Sequence, residues 1–133
     1  MLPALIRRYV NAAETHAPEV VNWGSGSPLR EFLHVDDLAS AVSFLLDHYD
    51  DPSTINVGTG EDHSIRDISA MVADAAGYTG TTRWDTSRAD GTPRKLLDVS
   101  RLRGLGWNPS IALDDGIAAT VQWYRENRDH VRS

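Results

Sequence analysis

The chain has 133 residues, a formal net charge of −6 and no cysteine. That length can bury a core of its own, and 41% hydrophobic with 24% charged residues is the balance of an ordinary folded domain, not a disordered tail. Disulfides and cysteine chemistry are excluded, the acidic balance offers no basic surplus for nucleic acid, and no apolar run approaches the roughly 20 residues that cross a bilayer.

Leu2, Leu5, Ile6, Tyr9, Val10 and Ala13 recur at helical spacing behind Pro3, which suits a first helical turn. Arg7 and Arg8 flank that stripe and are indistinguishable by periodicity. A helix on the first residues, with no basic leader or cleavage site, reads as a chain entered midway. Pro18 closes the helical region. Glu19–Trp23 reads as a strand, Gly24–Pro28 as a turn and Arg30–Val35 as a second strand paired with the first. Asp36 or Asp37 is expected to cap a helix with Leu38, Ala41, Val42 and Leu45 on one face. Thr54–Val57 reads as a buried strand ending in Gly58-Thr59-Gly60. Ser64 and Asp67 form a near capping box before Ile65, Ile68, Val72 and Ala75, and Gly77 sits where a C-terminal cap belongs. Thr81–Trp84 is a further strand, Ser87–Lys95 a loop, and Asp98 opens a short helix ending near Gly104. Ile117, Val121 and Tyr124 stripe a last helix. The order is α/β with crossover helices, but with few core strands, as in part of a larger α/β structure.

The turn at Gly58 and Gly60 offers two positions of the dinucleotide fingerprint but has His63 at the third, so a complete nicotinamide site is not expected here. His34, Asp36 and Asp37 do not make a metal set, because Asp36 is better used as a cap and no second histidine stands at helical spacing. No nucleophile elbow is present. Arg88–Lys95 is more pointed: three cations, a proline and a glycine in one loop, either a phosphate clamp or a solvated basic loop. Asp90 could accept from a sugar hydroxyl. Trp23, before a glycine turn, offers a flat face to a base or belongs to the core. Every basic residue except Lys95 is arginine.

Three stretches, Arg30–Ala39 (REFLHVDDLA), Ile55–Gly60 (INVGTG) and Leu105–Pro109 (LGWNP), resemble extended short-chain dehydrogenases of the NAD-dependent epimerase/dehydratase family, which act on nucleotide sugars. Narrower stretches, Leu2–Arg8, Ala17–Val21, Trp23–Gly26 and above all Asp90–Asp98 (DGTPRKLLD), are similar to the GDP-L-fucose synthases within that family. The resemblance implies 3,5-epimerisation and NADPH-dependent 4-reduction of GDP-4-keto-6-deoxy-D-mannose to GDP-L-fucose by a cytoplasmic homodimer. It also implies that residues 1–133 are the C-terminal GDP-sugar-binding portion of the Rossmann-type fold, without the N-terminal nucleotide-binding core. On it, Arg8, Arg30 and Lys95 match cations that hold the pyrophosphate, while Trp23 and Asp90 match contacts to the nucleotide sugar. No catalytic, cofactor or metal residue is assigned to this chain. The family's Gly-rich loop, Tyr-x-x-x-Lys pair and catalytic cysteine are absent, and its catalytic histidine would fall just before Met1. Ala112 stands where relatives carry a serine cap. The chain is thus expected to bind the GDP-sugar and to be catalytically incomplete, with no nucleic-acid or membrane partner. The alternatives are a portion of another nucleotide-sugar epimerase or dehydratase, or a non-catalytic binding module. If Rossmann neighbours complete the fold, residues 54–57 should be an edge strand joining their sheet. The apolar faces of Leu5–Val10 and Leu38–Leu45 should then be exposed.

Overall fold

A computed structural model describes residues 1–130. Helix α1 (Leu2–Glu14) starts with Pro3 in its first turn and leads to β1 (Glu19–Trp23). Strand β2 (Leu29–Glu31) and helix α2 (Val35–His48) follow, then β3 (Asp62–Ser64) and α3 (Ile65–Ala75). Strands β4 (Thr81–Asp85) and β5 (Arg94–Lys95) precede α4 (Ser100–Leu105) and α5 (Leu113–Asn127), and a 3-10 turn spans Arg128–His130.

Two small sheets form. Strands β1 and β4 pair in parallel, with Val20 beside Thr82 and Trp23 beside Asp85. Strand β2 is the centre of the other sheet, antiparallel to β3 and parallel to β5. The expected pairing of the first two strands is therefore not what forms. Gly24 and Gly26 take φ of 83° and 77°, a region open to glycine, and turn the chain out of β1 into a different sheet.

The second strand is also shorter than expected. Phe32 to His34 leave the sheet because His34, not an aspartate, is the N-cap of α2, its Nδ1 accepting the Asp36 N–H at 3.2 Å. Asp37 is buried instead and closes a distant loop. It accepts from Ser110 N–H at 3.1 Å, Ser110 Oγ at 2.9 Å and Ile111 N–H at 3.0 Å. Burial, the largest influence, pushes its pKa up, but these three donors and the charge of His34 together hold it below the ordinary value. The Ser64 cap on α3 forms as expected, with Oγ accepting Asp67 N–H at 3.0 Å, and Gly77 takes φ 65°. Ala112 is the N-cap of α5 and makes no side-chain cap bond.

The main core lies between α1, α3, α5 and the β1–β4 sheet. It holds Leu5, Ile6, Tyr9, Val10, Ile68, Val72, Ile117 and Val121, so the apolar face of α1 is covered within the chain, contrary to expectation. A second, smaller cluster gathers Ala41 of α2, Leu102 of α4 and Trp107, with Ile55 and Val57 packed against it. Residues 54–57 are irregular: they pack by side chain on this cluster and pair with no strand among the described residues. The outer face of α2 is exposed at Val35, Leu38, Val42 and Leu46. No described helix is long and apolar enough to cross a membrane.

Candidate functional site

Strands β1 and β4 are parallel neighbours, so their C-terminal ends meet at Trp23 and Asp85. Loops leaving that edge of an open α/β sheet are where ligands are bound in such folds. The loop after β1 is fixed by the loop after β4. Asp90 Oδ1 accepts Ser25 N–H at 2.8 Å and Oδ2 accepts Ser25 Oγ at 2.6 Å. The Ser25 hydroxyl first, then its N–H, holds the Asp90 carboxyl below its ordinary pKa. A Cβ on Gly24 would overlap Asp90 Oδ1, and Gly26 lies under the Trp84 ring, so both glycines are needed for the closure. From α3, Arg66 covers Trp84 at 4.8 Å and donates to Ser25 O.

The second sheet contributes charge. The β2 register places Arg30 between His63 of β3 and Lys95 of β5, so these three side chains share one face. His63 and Lys95 make no side-chain hydrogen bond or ion pair among the described residues, and Arg30 donates only to its own neighbour, Leu29 O. Alternation sends Arg94 to the opposite face, where it pairs with Asp62 at 2.5 Å. The Arg94 hydrogen bond holds Asp62 below its ordinary pKa. The loop containing Asp90 bridges the two sheets: Pro93 O accepts Leu29 N–H at 2.8 Å, and a Cβ on Gly91 would stand 3.5 Å from an Arg30 nitrogen.

Arg8 reaches the same strand end from α1. Its Nη1 donates to Asn22 Oδ1 at 2.6 Å and to Val21 O at 3.2 Å. Arg7 faces elsewhere, lining a shallow cleft with Trp123 and Tyr124. The structure thus separates two arginines that periodicity could not. Trp23 is not core: it is 69% exposed, with Arg88 over its ring at 5.2 Å. Arg8, Trp23, Arg30, Asp90 and Lys95 therefore belong to one connected region, although Asp90 is engaged in holding the loop. Sequence reasoning gave no role to His63, which enters only through β3 pairing, and did not single out Asn22. Arg88 stood in the cationic loop without an assigned contact. A cleft of about 520 Å³ lies between the N-terminal ends of α2 and α5, lined by His34, Phe32, Asn108, Leu113 and Ile117, and His63 of the cationic face also lines it.

The turn at Gly58–Gly60 does not fit a dinucleotide pyrophosphate. It is wrapped around a carboxylate of the chain itself: Glu31 Oε1 accepts Gly60 N–H at 2.7 Å and Thr59 Oγ1 at 3.3 Å, and a Cβ on Gly58 would overlap it. The other oxygen accepts Leu97 N–H at 3.0 Å, so Glu31 joins this turn to the segment after β5. The Gly60 N–H that such a turn would offer to an anion is thus already taken by Glu31. Among the described residues no cluster of three or more histidines and carboxylates could hold a metal.

Residues 1–58 match the model of the NAD dependent epimerase/dehydratase family. Putative GDP-L-fucose synthase 2 of Arabidopsis thaliana is 53% identical over 127 residues, which are 96% of this chain and 39% of that protein. GDP-L-fucose synthase of Escherichia coli (strain K12) is 48% identical over 141 residues, 99% of this chain and 44% of that protein. The chain therefore spans about two fifths of the length of these relatives. The crystal structure of a GDP-L-fucose synthetase from Naegleria fowleri bound to NADP superposes with a TM-score of 0.92 at 30% identity, covering 99% of this chain and 42% of that one. The α/β elements described above thus form part of an extended short-chain dehydrogenase fold, and over residues 1–58 the chain is similar to the NAD dependent epimerase/dehydratase family.

Proposed function

We propose that this chain is the GDP-sugar-binding portion of a GDP-L-fucose synthase. The observation that carries the reading is the shared face of Arg30, His63 and Lys95, beside the loops that leave β1 and β4. A pyrophosphate is a compact, multiply charged anion, and a chain of net charge −6 can hold it only with a local group of fixed cations. Arg30 and Lys95 supply two, and Arg8 a third from the end of β1. The exposed indole of Trp23 gives the base a flat surface, with Arg88 already over the ring. Asp90 keeps both loops in place, and its remaining lone pairs can still accept from a sugar hydroxyl.

The role of such a site is positioning. Holding the GDP end fixes where the hexose lies, which is a large part of the barrier for a reaction that needs acid, base and hydride donor aligned. Those groups, and the binding of NADP(H), are assigned to sequence outside this chain, in keeping with the share of its relatives that it spans and with the occupied Gly58–Gly60 turn. The exposed stripe Val35, Leu38, Val42 and Leu46 is the face that the rest of a homodimeric enzyme would cover.

Calorimetry with GDP and with UDP tests the reading. Binding of GDP is expected, with Arg30→Ala and Lys95→Ala each weakening it by about tenfold, near 1.4 kcal/mol. No NADPH oxidation by the chain alone is expected. Preferential binding of UDP would move the assignment to another nucleotide-sugar enzyme. Binding of neither nucleotide would leave the cationic face without this role.

A further inference from the structure

Asn22 is a polar residue in the middle of a core strand, 2% exposed, and its amide is fully engaged. Nδ2 donates to Tyr9 Oη at 3.0 Å and to Ser69 Oγ at 2.8 Å, so the oxygen must point the other way. There it accepts from Arg8 Nη1 at 2.6 Å. The two hydroxyls are themselves held: Tyr9 Oη and Ser69 Oγ lie 2.7 Å apart, and Tyr9 Oη and Thr82 Oγ1 2.9 Å apart. Four elements, α1, β1, α3 and β4, thus converge on one amide. Its only outward connection in this network is to the Arg8 guanidinium.

A buried asparagine in a strand is costly unless satisfied, and β-branched residues would serve this position better for packing alone. What asparagine adds is a rigid acceptor. We propose that Asn22 is a positioning residue that fixes the Arg8 guanidinium at the C-terminal end of β1 before any ligand arrives. Val21 O supplies the second contact to Nη1. Both anchoring contacts use Nη1, which leaves Nε and Nη2 of Arg8 as the edge that can take two phosphate oxygens side by side. Ordering a long arginine ahead of binding lowers the entropy lost on association. This inference rests on the reading of Arg8 as a pyrophosphate contact, but its first test does not.

Nuclear magnetic relaxation of the Arg8 Nε–H in the ligand-free chain reads the anchor directly. It is expected to be ordered in the unaltered chain, mobile in Asn22→Val, and still ordered in Asn22→Asp, which loses the two donors but keeps the acceptor. An equally ordered Arg8 in Asn22→Val, or a mobile one in Asn22→Asp, overturns the proposal. The Asp variant alone decides it if the Val variant does not fold. Titration with inorganic pyrophosphate then completes a cycle with Arg8→Ala. Asn22→Val is expected to weaken binding about threefold to tenfold when Arg8 is present and to leave it unchanged in the Arg8→Ala background. Equal weakening in both backgrounds marks a role in stability only and overturns the proposal. An Arg8→Ala chain that binds pyrophosphate undiminished removes the ligand role of Arg8, while the relaxation result still stands or falls separately.

Discussion

The two apolar clusters of this chain are built from similar residues and are treated in opposite ways. Around α1, α3 and α5, Ile6, Tyr9, Ile68, Val72 and Val121 are almost wholly removed from water. On α2, only Ala41 of the apolar residues is fully buried, while Val42 is half exposed and Leu46 is 81% exposed. Helical periodicity is present in both, so amphipathicity states that a face seeks cover without saying what covers it. The first face is covered by the chain's own helices. We read the second as prepared for a neighbour, and two of the site residues stand with the first cluster: Arg8 is on α1, and Trp23 ends β1.

The sharpest way to break this contrast is by truncation. Ile68→Ala removes packed atoms from a closed core and is expected to cost about 2–5 kcal/mol, whereas Leu46→Ala should change stability by no more than about 0.5 kcal/mol. Thermal or denaturant unfolding of the isolated chain checks both, and a large loss at Leu46 would show that the α2 face is already packed. Next comes Asp37, the polar tie of the weaker half. Asp37→Asn leaves the Ser110 and Ile111 N–H groups with a poorer acceptor and is expected to cost roughly 1–3 kcal/mol near neutral pH. The sign of its pH dependence follows from a folded pKa held below 3.8. The stabilisation is present above that value and lost as pH falls through the folded pKa. Unfolding measured between about pH 5 and pH 2 should therefore show a shallower acid decline for Asp37→Asn than for the unaltered chain. A parallel decline would remove Asp37 from the acid response. A smaller effect than that at Asp37 belongs at the start of α5, where Ala112→Ser adds an acceptor to an N-cap already at φ −62° and ψ 148°. It should stabilise by about 0.5–2 kcal/mol, read as a rise in melting temperature.

Local chemistry was legible wherever neighbours in sequence decide it. The Ser64 cap, the left-handed Gly77, the strands at 19–23 and 81–85 and the helical stripes all follow from residues within a turn of each other. The cap of α2, expected at Asp36 or Asp37, failed at this level because the nearby His34 could serve as well, and Asp37 was drawn to Ser110 and Ile111 across the fold. Residues 54–57, expected as a strand of a larger sheet, pair with no strand among the described residues for a related reason. Ile55 and Val57 have the composition of a buried strand, but a ladder needs a partner, and here they rest on Leu102 and Trp107 instead.

The sequence by itself determined the residue types of the site: a lone lysine, arginines in a loop with proline and glycine, and a tryptophan before a glycine turn. It also determined the likeness to known proteins, relatives of which are about half identical to this chain over nearly all of its length. Only the tertiary structure decided which cations act together. Arg94 and Lys95 are adjacent in sequence, yet the two-residue period of a strand sends one to Asp62 and the other to the face of Arg30 and His63. Arg7 and Arg8 are likewise adjacent, and the turn of a helix gives only the second to Asn22. Neighbouring positions carry the same charge into different surroundings, and strand pairing and helix packing, not composition, settle which surroundings those are.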